Sequence, residues 1–503
     1  MRNVILAVVL GSLLLVASFT RAAPPPPVAV GIAQGIDPES LDPHMDTLSS
    51  SQAIFGNLYD ALVNLDANNN VVPALAVWWK WVNETTLEMK LRRGVKFHNG
   101  KEFTADDAVF TLKRMLQRED PVRTRSWIVG IVKDVVAPDA QTVRIITEQP
   151  DAVLLRRIAA WLIVPRDTFT QVGRVQFGLN PVGTGPYRFV EWVKNDRVVV
   201  QAYDQYWRGR PKIDRLVFKP IPEDYGRFAA LKTGVVDLVA NVPPERVKEM
   251  EADPRLKVET VHSSRTIFVG INTWVRPFTD RRVRQALNYG VNVQELIDTI
   301  LQGRAYRNPG PINQMVFGYH KGLKPYPYDP ERARRLLREA GYPQGFDTVL
   351  TGPVGRYLKD KEMQEAIVGQ LQRIGVRARL DLRPEWARFF GPWLRKEMQG
   401  LYFLGFGGII LDADYLLGGH FHSKRRGLYY NHPDSDRLIE LGMSTLNEKT
   451  RLDTYARLQE FLLEEAPWIF LYDQQDIYGI SKRLRWRPRV DERIVLYGAE
   501  VAR

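Results

Sequence analysis

No cysteine occurs anywhere in the 503 residues, and that absence constrains every fold the chain can take. Disulfides cannot staple it and a lipid-modified cysteine cannot tether it. Its stability must come from apolar burial and hydrogen bonding. Length makes that feasible. The chain is well past the ~250–300 residues at which a single core stops growing, so two or three structural units are expected. Hydrophobic residues at 45 % and charged residues at 25 % match an ordinary water-soluble globular protein.

The first residues are of another kind. A short basic start, MRN, leads into an apolar run from Val4 to Phe19, and Thr20-Arg21-Ala22-Ala23 then precedes four prolines. This is the three-part pattern of a secretory signal peptide over 1–22, with cleavage expected after Ala22. A membrane anchor would need about 20 apolar residues, which the run does not reach. A soluble protein in a bacterial periplasm, exported and not lipid-anchored, is expected. The net charge of +12 then reads as solvated basic faces, not as a nucleic-acid surface.

Helices and strands alternate after the leader without internal repeats. Val28-Ala-Val-Gly opens the mature chain as a strand. Thr104 with Asp107 caps a helix carrying Ala108, Val109, Leu112 and Leu116. Asn292 with Glu295 caps the next, and Asp329-Pro330 opens one that Gly341 closes. Met363, Ile367, Leu371 and Ile374 mark an amphipathic helix ended by Gly375, followed by an alternating strand from Val376. A long helix precedes Pro467 and the strand-like WIFLY. The class is α/β or α+β with mixed sheets.

Catalytic signatures are missing. The sequence has no GxSxG elbow, no HExxH pair and no cysteine nucleophile. Asp106-Asp107 and Glu464-Glu465 are sequence neighbours on helices, where adjacent side chains point apart. Gly183-Thr184-Gly185 lacks phosphate-loop spacing and runs into Pro186, which has no N–H to offer, so a structural turn is expected. No enzyme activity and no cofactor are expected.

Five segments, taken in order, resemble one family. They are FHNGKEFTADDAVFTLKR (97–114), NPVGTGPYRF (180–189), YWRGRPKIDRLVFKPIPE (206–223), RPFTDRRVRQALNYGVN (276–292) and YDPERARRLLREAGY (328–342). The set is similar to the peptide- and nickel-binding family of extracytoplasmic solute-binding proteins (family 5), the capture subunits of ABC importers. The resemblance implies a two-lobe periplasmic-binding-protein fold of type II, in the large three-subdomain form, with mixed β-sheets and hinge strands. Lobe I would span 23–270 and be completed by 476–503, with lobe II at 271–475. RTIFVGINTW (265–274) and WIFLYDQ (468–474) suit the two crossover strands. A small-molecule or peptide ligand, permease and ATPase partners, and a monomeric state are implied.

The stretch FLGFGGIILDADY (403–415) then reads as a pocket wall. In peptide-binding relatives a Gly-Trp pair stands here, and an acidic residue three positions after the Trp grips the peptide's amino terminus. Here the pair is Gly405-Phe406 and the third position is Ile409, which cannot compensate a buried ammonium. Gly407 and Gly408 would let backbone amides approach a ligand, and Phe406 would supply an aromatic face. Asp412 could replace the missing acid if the loop is reshaped, or it could cap the loop. Trp386 reads equally as pocket lining and as core. Arg356, in a loop where some relatives pair an arginine with the ligand's carboxylate, reads as a ligand contact or a surface arginine. His420 and His422 would share a face if they stood on a strand and could then hold a metal, a nickel-type alternative. Structural histidines are the other reading.

Overall fold

A computed structural model describes residues 27–502 apart from 47, 67–69, 118–128 and 426–427. The expected leader over 1–22 lies outside the described residues. Two strands organise the rest. The first, Leu256–Ile271, and the second, Trp468–Ser481, run antiparallel along most of their length. The apolar stretches foreseen as crossover strands are therefore the inner ends of longer ones.

Around this pair lies an eleven-stranded mixed sheet. On one side Leu238–Val239 pairs with the Gly479–Ile480 end of the second long strand and leads on to the parallel strands Ala29–Gln34 and Arg215–Pro220. On the other side Leu401–Phe406 pairs with Thr266–Ile271 and leads on to Phe346–Pro353 and Val376–Arg383. The long pair thus belongs to both halves. Its register is continuous from Leu256 to His262 and resumes at Thr266, with an irregularity between. Such a break bends a strand and re-aims its side chains. Here it re-aims Ser263, Ser264 and Arg265.

A separate four-stranded sheet (Ala76–Asn83, Thr86–Leu91, Thr142–Thr147, Val132–Asp139) carries the helix Ala105–Leu116. That helix begins with the expected reciprocal cap between Thr104 and Asp107. The other foreseen starts hold as well. Asn292 accepts from the Glu295 amide, and Asp329 from the Arg332 amide. The helix Asp360–Gln372 buries Met363, Ile367 and Leu371, and Gly375 follows at φ +91°, a conformation other residues resist. The Gly183 and Gly185 turn packs on the end of the first helix, Ser49–Leu58: a Cβ on Gly183 would stand 2.0 Å from the Leu58 carbonyl oxygen.

Three apolar clusters form among the described residues. The cluster under the four-stranded sheet also takes in Ile410, Leu411, Tyr415 and Met443 from the other half of the chain. The Ala152 amide donates to the Met443 carbonyl at 3.0 Å. The two halves are therefore in contact, and the space they enclose lies beside the register break.

Candidate functional site

Phe406, Gly407, Gly408 and Ile409 continue off the end of the strand Leu401–Phe406 and form one wall of a cavity. Arg356, Trp386, Phe390 and Trp393 form another. Ser49 and Gln52 close it from the first helix, with Ser264, Arg265 and Glu492 at its base. The space between the walls is about 750 Å³, part of it open to solvent.

The aromatic wall is stacked. Trp386 and Phe390 lie 5.0 Å apart between ring centroids, and Phe390 and Trp393 lie 5.3 Å apart. Trp393 is fully buried while Trp386 is only partly so. Phe406 meets Tyr415 at 5.1 Å and the edge of His420 at 4.6 Å. Such faces take an apolar or planar body at little entropic cost.

Two guanidinium groups stand at the base, in unequal circumstances. Arg265 is charge-paired. It forms an ion pair with Glu492, donates to Ser49 Oγ at 2.7 Å and reaches the Gly405 carbonyl at 3.1 Å. Burial pushes the Glu492 carboxyl up, but Arg265 outweighs it and holds the group below its usual range. Gly407 makes room for this pair, since a Cβ there would lie 3.2 Å from Glu492 Oε1 and 3.3 Å from Arg265 Nη2. Arg356 has no such partner. No carboxylate among the described residues is paired with it, its Nε has no hydrogen bond, and Nη2 reaches only Ser49 Oγ at 3.5 Å. Burial, then the charge of Arg265, push its guanidinium down from the ordinary arginine range. It is a cation without a directly paired carboxylate, although the charges of Glu492 and Asp360 act on it from nearby.

The loop bearing Arg356 is fixed by one side chain. Asp360, first residue of its helix, accepts from the amides of Gly355 at 2.9 Å, Arg356 at 2.8 Å and Tyr357 at 2.9 Å. Burial nevertheless raises its carboxyl to about 6. Tyr357 then donates to the Gly405 carbonyl at 3.0 Å, tying the loop to the Phe406 wall.

Behind Arg265, Arg356, Ser49 and Glu492 lies a second chamber of about 590 Å³, part of it open to solvent, lined also by Gln34, Asn241, Gln474 and Asp476. Asp476 sits on the second crossover strand and is 3 % exposed. Burial, then the nearby Glu492 charge, raise its carboxyl to about 7.

Two sequence expectations need correction. Asp412 does not line the cavity. It caps the helix Ala413–Phe421 through the Asp414 amide at 3.1 Å and receives Arg451 at 2.9 and 3.0 Å. The chain turns into a helix at Ala413, which carries Asp412 away from the ligand side. His420 and His422 stand at the end of that helix, not on a strand, so they diverge. His420 lies among the rings of Phe406, Trp393 and Trp468, while His422 Nε2 meets Glu440 at 3.1 Å. Among the described residues no group of three His, Cys, Asp or Glu side chains converges to hold a metal. The Gly408 amide is also spoken for, donating to Ser264 Oγ at 3.2 Å. Arg265, Glu492, Ser49 and Asp476 escaped the sequence reading. Arg265 and Glu492 are 227 positions apart, and nothing local to either marks the pair.

Residues 70–427 match the bacterial extracellular solute-binding proteins, family 5, middle region. The chain is 30 % identical over 466 residues to the glutathione-binding protein of Pectobacterium atrosepticum, covering 90 % of each. It is also 30 % identical over 467 residues to heme-binding protein A of Haemophilus influenzae, covering 87 % of this chain and 84 % of that one. Its fold matches the ABC transporter-associated periplasmic binding protein of Helicobacter pylori in complex with the peptide STSA, with TM-score 0.88 at 24 % identity over 94 % and 98 % of the two chains. That likeness extends the crossover pair and enclosed cavity into a two-lobe, type II periplasmic-binding-protein architecture. The chain belongs to family 5 of the bacterial extracellular solute-binding proteins, the extracytoplasmic capture subunits of ABC importers.

Proposed function

We propose that the protein captures a carboxylate-bearing, peptide-like solute in the cavity beside the crossover strands and delivers it, without chemical change, to a permease and its ATPase. The single observation carrying this is Arg356, a cavity-lining guanidinium with no carboxylate partner against an aromatic wall. A ligand carboxylate there forms a bidentate pair and offsets the repulsion from Arg265. Ile409 supports the other half of the reading, because the wall that grips an amino terminus in peptide-binding relatives has only an alkyl side chain here. Similarity to a glutathione-binding protein supports an acidic peptide derivative over a glycoside or a bare metal.

The boundary between the lobes belongs at the register break, near 263–265 on the first crossover strand and 473–475 on the second. Closure there works by population shift, since a ligand touching both lobes favours the shut form. The protein acts as an exported monomer in the periplasm. Calorimetry with glutathione and with acidic and neutral dipeptides tests the cargo class. One-to-one binding of the acidic compounds, with X-ray scattering moving to a smaller radius, is expected. Turnover of any bound compound, or equal binding of compounds without a carboxylate, would contradict it.

A further inference from the structure

The second chamber is chemically the mirror of the first. Its walls present two buried acceptor atoms without a hydrogen-bond partner. Asp476 Oδ1 accepts from Gln474 Nε2 at 2.6 Å, but Oδ2 has no hydrogen-bond partner, and Gln34 Oε1 has none either. Both residues are more than nine-tenths buried and both line the chamber. Neighbouring donors are already committed. The guanidinium of Arg265 is used by Glu492, Ser49 and Gly405, and the Ser263 hydroxyl, which also lies beside Asp476, donates to Glu492 Oε1 at 3.0 Å. Buried acceptors left in this state carry their full desolvation cost unless something fills them.

We propose that the second chamber is a cation subsite, in which Asp476 and Gln34 receive an ammonium or guanidinium on the same solute whose carboxylate meets Arg356. This rests on the reading of Arg356 given above. The geometry is favourable because Arg356 lines both chambers, so a solute can hold its carboxylate at the divide and extend a basic group behind it. An N–H-rich cation supplies two or more donors at once, matching two acceptors on different strands: Gln34 ends the strand Ala29–Gln34 and Asp476 lies on the second crossover strand. The charges balance as well. Arg265 is neutralised by Glu492, Arg356 by the ligand's carboxylate, and Asp476 by the ligand's cation. The subsite replaces the amine anchor absent at Ile409, but on the opposite side of the arginine pair.

The test uses the full chain and three matched probe series: ω-amino alkanoates of increasing length, their ω-guanidino counterparts, and plain alkanoates. Each is titrated by calorimetry into wild type, Asp476→Asn and Arg356→Ala, with Gln34→Met as a second acceptor-deleting variant in case Asp476→Asn fails to fold. Expected is a chain length at which an amino or guanidino probe binds at least about tenfold tighter than its alkanoate. That advantage should shrink to near one in Asp476→Asn, or fall in Gln34→Met, while alkanoate binding persists. Equal binding of the basic and plain probes in wild type, or an advantage that survives both variants, would overturn the subsite and leave Arg356 standing. If the plain alkanoates bind wild type and Arg356→Ala equally, or bind neither, the carboxylate reading itself fails and takes this one with it.

Discussion

Arg157 and Asp414 stand 257 positions apart in the chain and meet in a buried ion pair. Each also has a counter-ion nearby. Asp151 Oδ2 lies 3.2 Å from Arg157, and Arg425 Nη1 lies 2.8 Å from Asp414. Asp151 and Arg157 precede the crossover strands, whereas Asp414 and Arg425 lie between them. Burial alone would raise the Asp414 carboxyl, but Arg425 and Arg157 hold it below its usual range. Contact between the halves thus joins two self-sufficient pairs into one four-charge network, next to the helix that follows the Phe406 wall.

Asp414→Asn should therefore loosen the contact between the halves while also breaking the Asp414–Arg425 pair within one of them. Breaking a buried pair costs about 3–5 kcal/mol; Arg157 retains Asp151, whereas Arg425 loses its carboxylate partner. Stopped-flow release of cargo should be markedly faster in the variant, with association little changed. Identical release rates would remove the network from the closing mechanism.

Asp360 holds Arg356 through its backbone amide and adds a nearby negative charge. Asp360→Ala removes the acceptor for three amides, each worth roughly 1 kcal/mol or more when left buried and unpaired. Cargo affinity should fall about as far as in Arg356→Ala although Arg356 is still present. Asp360→Asn, keeping one oxygen acceptor, should recover part of it. Equal affinity in Asp360→Ala and wild type would show that the loop holds its shape without the carboxylate.

The pH dependence follows from Asp476. Its carboxyl is raised from 3.8 to about 7 in the folded chain, so the native state binds a proton that the unfolded chain has already released. The stability tied to this group is fully present below about pH 4 and is lost as pH rises through about 7. Asp476→Asn cannot ionise. It should thus flatten the profile and exceed the cargo-free wild type above about pH 7, by up to about 4 kcal/mol. Melting temperatures of both proteins across that window check this, and parallel curves would contradict it.

Much of the scaffold was legible because its signals are local. The caps at Thr104, Asn292 and Asp329, and the glycine stop at Gly375, each need only a few adjacent residues. The crossover strands were visible as apolar runs, but their full length was not. Their outer ends, such as Lys257-Val258-Glu259, mix charge and hydrophobicity and gain order from pairing. Ile409 and Arg356 stood out because a family pattern pointed to their positions, and Trp386 because it is a large aromatic residue upstream of the wall. Asp412 was left open between replacing the acid and capping, because closeness in sequence to the wall says nothing about the helix starting at Ala413, where it caps. The histidines misled for the same reason, since spacing of two is informative only once strand or helix is known. Glu492 could not have been found at all, because its partner Arg265 is brought to it by tertiary structure alone.

Gly407 offers a steric test of the Arg265–Glu492 pair. A branched side chain at that position extends beyond the 3.2 and 3.3 Å contacts that a Cβ alone would make, so Gly407→Val must push the pair apart or tilt the wall. Cargo binding should weaken roughly ten- to hundredfold, about 1.4–2.8 kcal/mol, with a smaller effect for Gly407→Ala. Undiminished binding in the valine variant would place the ligand away from this wall.

The proposed occupant of the cavity is a carboxylate-bearing solute held on Arg356. Native mass spectrometry of protein isolated gently from a periplasmic extract, before and after denaturation, tests it most directly. Expected is one small molecule per chain, carrying at least one carboxylate and absent from Arg356→Ala prepared in parallel. A released molecule without an acidic group, or one retained equally by Arg356→Ala, would contradict the claim.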